Sequence, residues 1–375
     1  MGNDKWPERD GRRKGTSCVG FSGWLTIIGL LLPLIFISCS PLYLVQSAVE
    51  EARILWNRQP VEELLQREDL DPKLRERLIL AQRVREYSRD VLRLNVKGSY
   101  ASYSARERQH LVTVVSASPK AELRSYTWWF PLVGRVPYKG FFHRDQALAE
   151  ANKLEESGYD VHLTESDAFS TLGWFDDPIQ TQFLRYDKVA YVDLLIHELF
   201  HATMYIPGQT DFNETAASFV GHRGAIAFFE WSEGSDADTY AKATRRWRDS
   251  LKFSGFLEEV VTRLGRLYQE EAPLEEKLIR KEQILSRSRE EFKILQGTLQ
   301  TKRSSFLEGK LNNAVLLHYR FYYRELGLFE KAYALSGEDL PANLVKIRAC
   351  CDVGDPFEKL REVVQSSSDS RALMP

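Results

Sequence analysis

His197-Glu198-Leu199-Phe200-His201 places two imidazoles and a carboxylate within little more than one helical turn. Four residues on an α-helix turn the chain through about 400°, so both rings share a face, roughly 6 Å apart along the axis. That spacing lets both reach one tetrahedral Zn²⁺ at about 2.0–2.1 Å. Glu198 can then reach a water bound to such a metal. A catalytic zinc needs a third protein ligand and an open fourth position. Glu214 is the candidate third ligand: 12 residues separate it from His201, with a turn at Pro207-Gly208 between them. A helix opening near Asp211 would face Glu214 back toward the histidines. Two other readings stay open. Asp211 as N-cap with Glu214 at N3 would form a capping box, and ordinary core histidines would satisfy the pattern without a metal.

The elements that must hold these groups follow from periodicity. Tyr191–Ile196 is apolar except for Asp193, so the motif sits on a buried helix that fixes its ligands rigidly. Asp193, one turn before His197, could orient a zinc histidine or serve as a capping or solvated acid. Two helices joined by a loop are expected over Val189–Trp231. Before them, residues 45–93 repeat apolar positions at three and four residues, with Asp71-Pro72 marking a helix start. Leu111–Val115 is strand-like. Tyr126–Phe142 is aromatic and broken by Pro131, Gly134, Pro137 and Gly140, which predicts short strands and turns. A helix is expected near Arg144–Glu156, and strands at Tyr159–Leu163 and Thr171–Phe175. Asp236–Glu362 reads as mostly helical, and Leu278, Leu285, Phe292 and Leu299 form a heptad-spaced seam for another helix.

The first 39 residues are set apart. Residues 1–14 carry five basic and three acidic side chains, and no charge follows between Lys14 and Glu50. A basic start followed by the apolar run Phe21–Ser38 reads as an export signal, and the run is near the shortest membrane span. It ends in Ser38-Cys39, as bacterial lipoprotein signals do, with Phe36 where Leu is usual. A lipidated Cys39 or an uncleaved anchor would both leave the remaining chain facing the periplasm on a membrane.

Composition excludes several classes. The 375 residues are 43% apolar and 28% charged, enough for a sizeable core. A net charge of −2 gives no field to attract nucleic acid. Four cysteines, none in a CxxC pair, exclude a disulfide scaffold and a thiolate zinc ribbon.

Residues 197–221, HELFHATMYIPGQTDFNETAASFVG, resemble the gluzincin metallopeptidases, which pair HExxH with a downstream Asn-Glu. More closely, the chain resembles a bacterial family of predicted zinc aminopeptidases that are often lipoproteins. Leu74–Leu78, Tyr126–Gly140, Ser170–Pro178 and Leu311–Ala314 also carry that likeness; Phe200 and Ala202 stand where the family commonly has Ala and Gln. The resemblance implies a peptide substrate, Zn²⁺ on His197, His201 and Glu214, and Glu198 as the general base. It also implies a tyrosine donor to the oxyanion, and Tyr322, following Asn312-Asn313-Ala314, matches best. An edge strand at Thr171–Phe175 would pair with substrate, and Asp176-Asp177 either turn the chain or bind an amino group. No GxMEN element is present to anchor an amino terminus. The expected fold is α+β and mostly helical. A signal or anchor covers residues 1–39, and a helical and zincin-like catalytic region with a small sheet before the HExxH helix covers 40–235. A helical region over 236–375 closes the cleft. The rival is a membrane-anchored binding or assembly protein with a structural or vestigial zinc site.

Overall fold

A computed structural model describes residues 41–106, 110–130, 134–167, 176–303, 306–351 and 354–372. The segment expected to act as an export signal and the strand expected at Thr171–Phe175 lie outside these residues. Among the described residues no helix is long and apolar enough to cross a membrane. Residues 46–375 form one compact unit; of the separate unit Met1–Val45, only the start of the first helix is described.

The fold is α+β and mostly helical. Helices α1 (Pro41–Trp56), α2 (Val61–Gln66) and α3 (Pro72–Asp90) come first, with the short strand β1 (Gln59–Pro60) between α1 and α2. The Asp71 side chain accepts from the Leu74 amide at 2.8 Å and so caps α3, with Pro72 at its first position. The aromatic stretch breaks into short strands as its prolines and glycines require: β4 (Trp128–Phe130), β5 (Gly134–Val136) and β6 (Tyr138–Phe141). They follow β2 (Ser102–Ser104) and β3 (Val112–Pro119). Helix α4 (Arg144–Glu156), β7 (Tyr159–Ser166) and β8 (Ile179–Gln180) come next. Strands β6, β3 and β7 form an antiparallel sheet in that order, β1-β2-β8 a second sheet and β4-β5 a hairpin.

The two helices expected at the centre are α5 (Lys188–His201) and α6 (Thr210–Glu233). Tyr191, Val192, Leu195, Ile196, Leu199 and Phe200 of α5 are all fully buried, as an apolar-all-round helix must be. The main core packs α5 and α6 against Leu78 and Val84 of α3 and against Phe329, Ile347 and Leu360 from the C-terminal third. That third comprises α7 (Asp238–Gln269), α8 (Leu274–Gln296), α9 (Asn313–Tyr323), α10 (Leu326–Leu335), α11 (Leu340–Arg348) and α12 (Pro356–Ala372). The expected seam packs α8 on α7 through Leu285 and Phe292. Leu299 falls beyond its end, because α8 stops at Gln296.

Candidate metal centre and cleft

Asp187 starts α5 by accepting hydrogen bonds from the Val189 and Ala190 amides at 3.0 and 3.1 Å. From that start Asp193, His197 and His201 fall on one face, four residues apart. The chain then turns at Gly208, whose φ of +75° suits glycine. Asn213 clamps the turn from inside. Its amide donates to the Ile206 carbonyl at 2.8 Å, and its oxygen accepts from the Ile206 amide at 2.9 Å. This fixes where α6 begins and how Glu214, the next residue, faces.

The capping-box reading does not hold. Helix α6 starts at Thr210 after Gln209 with no side-chain cap. Asp211 instead binds Arg324 at 3.0 Å. Glu214 is turned inward, with Oε2 at 3.4 Å from Nε2 of both His197 and His201. The two Nε2 atoms are 3.1 Å apart. These edges match a metal site better than a hydrogen-bonded cluster. Ligands at about 2.0–2.1 Å from a tetrahedral ion lie about 3.3–3.4 Å from one another, whereas a charged N–H···O bond is typically about 2.7–2.9 Å. The donor set, two imidazoles and a carboxylate, suits a catalytic Zn²⁺. Within the described residues no other trio of His, Cys, Asp or Glu converges this way.

The electrostatics are those of buried, mutually dependent groups. Burial alone would raise the Glu214 carboxyl, but His201 and His197 beside it hold it far below the usual carboxylate range. Burial works against a charged His201, yet Glu214 moves it above its ordinary value. Burial pushes the Glu198 carboxyl up, against the pull of both imidazoles. Nδ1 of His201 is buried without a hydrogen-bond partner.

All four residues line a cleft of about 500 Å³. One wall is the face of the β6-β3-β7 sheet carrying Val112, Val114, Tyr138, Gly140 and Thr164; another is α9, with His318 and Tyr322. The Tyr322 ring centroid lies 6.2 Å from that of His197, and burial holds its phenol well above the ordinary value, so it stays protonated. Its neighbours pin it to the ligand helix: the Phe321 carbonyl accepts from Thr215 at 2.8 Å, and Arg324 holds Asp211. The start of α9 is stapled to the sheet. The Asn312 amide donates to the Val161 carbonyl at 2.9 Å and the Asn313 amide to that of Pro119 at 3.0 Å.

Several residues take other places than the sequence suggested. The Asp193 side chain pairs with Nδ1 of His222 at 2.7 Å. Nε2 of His222 lies 3.1 Å from Ser250 Oγ, which accepts from Arg303 at 2.8 Å. Asp176 accepts from the Gly98 amide at 2.9 Å and lies outside the cleft lining, and Asp177 is buried beside Tyr100. His222 and His318 also line the cleft. The sequence reading missed Tyr138, whose hydroxyl is 3.5 Å from Glu214 Oε1, and Arg246 at the cleft edge. Only its place in an alternating strand hinted at Tyr138. Cys350 is buried and Cys351 half-buried.

The sequence model described as "Putative aminopeptidase" matches residues 42–359. No curated protein and no solved structure matches the chain.

Proposed function

The chain belongs to the family described as "Putative aminopeptidase", and from that premise we propose a zinc-dependent peptidase that cleaves peptides, with aminopeptidase action favoured by the family. The observation that carries the metal is the triangle of His197 Nε2, His201 Nε2 and Glu214 Oε2, with edges of 3.1, 3.4 and 3.4 Å. It opens on a cleft that also holds Glu198. Zn²⁺ bound there would polarise the substrate carbonyl and bring the pKa of a bound water to about 7.

The chain's own residues do the rest. Glu198 is one residue past a ligand on the same buried helix, with a carboxyl whose affinity for a proton is raised by burial. It takes the proton of the attacking water and returns it to the leaving amine. Tyr322, kept protonated, donates a hydrogen bond to the oxyanion that forms on the substrate carbonyl. The hydroxyl of Tyr138 holds Glu214 in place from the sheet side. A structural zinc site needs no general base, so Glu198 speaks for catalysis over a purely structural metal. The basic start and apolar run ahead of Cys39 support a membrane-attached protein facing the periplasm, through a lipidated Cys39 or an uncleaved anchor.

The test is hydrolysis of an unbiased peptide library, analysed for which end is cut, before and after chelation and again after adding zinc. Cleavage from the amino terminus, lost on chelation and restored by zinc, is expected. Cleavage indifferent to chelation overturns the zinc mechanism, and internal cleavage overturns the aminopeptidase assignment.

A further inference from the structure

Resting on the peptidase reading, we propose that Gly140 opens a side-chain subsite in the cleft, and that the substrate residue seated there, next to the scissile bond, is bulky and apolar. The register places Gly140 opposite Val114 in the sheet, with Thr164 on the far side of Val114. Side chains alternate across a strand, so these three positions share one face, and all three line the cleft. Val112 lines it two residues from Val114, and Leu194 of α5 also lines it.

Nothing in the fold demands glycine at 140. Its φ is not in the left-handed region, unlike those of Gly134, Gly158, Gly208 and Gly234. A Cβ built on it would meet only Val112, at 3.9 Å, which is ordinary contact. By comparison, a Cβ at Gly221 or Gly224 would come within 3 Å of α5. Glycine inside a strand weakens it, and its presence often marks where a ligand comes close. Here the missing side chain leaves a recess facing the cleft.

The recess sits close to the reacting groups. Tyr138, two residues earlier on the same face, reaches Glu214 with its hydroxyl, and two strand residues span only about 7 Å. Val112, Val114 and Leu194 offer apolar surface. Two acids at the end of β7 also line the cleft, but both are engaged: Glu165 by Thr113 and Arg144, and Asp167 by His110 and Arg185. An aliphatic or aromatic side chain would shed its hydration there, while a charged one would find no partner.

The experiment is the Gly140→Val variant, compared with the unchanged protein on peptides carrying Ala, Leu or Phe on each side of the cleaved bond. The unchanged protein should prefer Leu or Phe over Ala at one of the two positions. In the variant, kcat/KM for the Leu and Phe peptides should fall at least tenfold relative to the Ala peptides. If Val impairs folding, judged by the unfolding midpoint, Gly140→Ala should shift the same ratio in the same direction by a smaller factor. An unchanged ratio, an equal loss on every peptide, or no preference in the unchanged protein overturns the subsite alone. Failure of the unchanged protein to cleave any of the peptides overturns the peptidase reading beneath it.

Discussion

Replacing Gly221 by Ala tests how closely α5 and α6, the helices that carry His197, His201 and Glu214, must approach. The new Cβ would lie 2.5 Å from Asp193 Oδ1, 2.8 Å from the Asp193 backbone oxygen and 3.2 Å from the Cβ of His197. The carboxylate cannot swing aside freely, because its other oxygen is held by His222 at 2.7 Å. The backbone oxygen moves only if α5 moves. Overpacking of this kind costs about 1–3 kcal/mol, and the gain in helix propensity from Gly to Ala offsets about 0.8–1.0 kcal/mol. The net loss should be about 0–2 kcal/mol. Gly255, exposed in α7, is the control: a Cβ there meets nothing within 4 Å. Gly255→Ala should stabilise by about 0.5–1 kcal/mol. Urea unfolding of both variants gives the two signs directly. Gly221→Ala should also bind zinc more weakly, since its Cβ pushes on the His197 side chain. A Gly221→Ala protein as stable as Gly255→Ala would refute the close-packed crossing of α5 and α6.

Glu214→Gln replaces a charged ligand by a poorer neutral one, so zinc content after dialysis should fall along with turnover; a zinc-replete, active variant would require another third ligand. Lys281 is 2% exposed, paired with Asp160 and donating to the Lys120 carbonyl at 3.0 Å. Lys281→Met leaves a buried carboxylate uncompensated and should cost about 3–5 kcal/mol in urea unfolding; a loss below about 1 kcal/mol would show that the pair is dispensable. Burial holds His162 down to about 4, and it packs on His318, held down to about 3. Both pKa values are depressed, so between pH 6.5 and 4 the unfolded chain binds more protons and stability falls as pH falls. Each histidine contributes a slope of about 1 kcal/mol per pH unit. Glu51, raised to about 7 by burial, works in the opposite sense over that range, so the comparison is with His162→Asn. That variant should show the shallower loss between pH 6.5 and 5, and equal slopes would contradict a neutral buried His162.

Much of this was legible from short-range physics. The i, i+4 spacing of His197 and His201 is a property of one helix, and Asp71-Pro72 is a local start signal. The Asn213-Glu214 pair pointed to the carboxylate that the fold brings beside both histidines, although the reason Asn213 stands there, a clamp on the Ile206 backbone, is visible only once the turn is folded. The capping box failed because Asp211 finds Arg324, which lies 113 residues away. Separation in sequence likewise hid Tyr138 from Glu214 and Asp193 from His222, pairs set by packing and not by periodicity. The sequence does not single out Gly221 and Gly224; the close contact between α5 and α6 gives them their purpose.

The most direct test of the central claim is the turnover of Glu198→Gln at measured zinc occupancy. Glutamine keeps the size and hydrogen bonding of the side chain but cannot take up the proton of water. The account predicts a folded protein with one zinc per chain and a rate lowered by about 10²–10⁴, or about 3–5 kcal/mol of barrier. A zinc-loaded Glu198→Gln protein that cleaves peptides at the unchanged rate would contradict it.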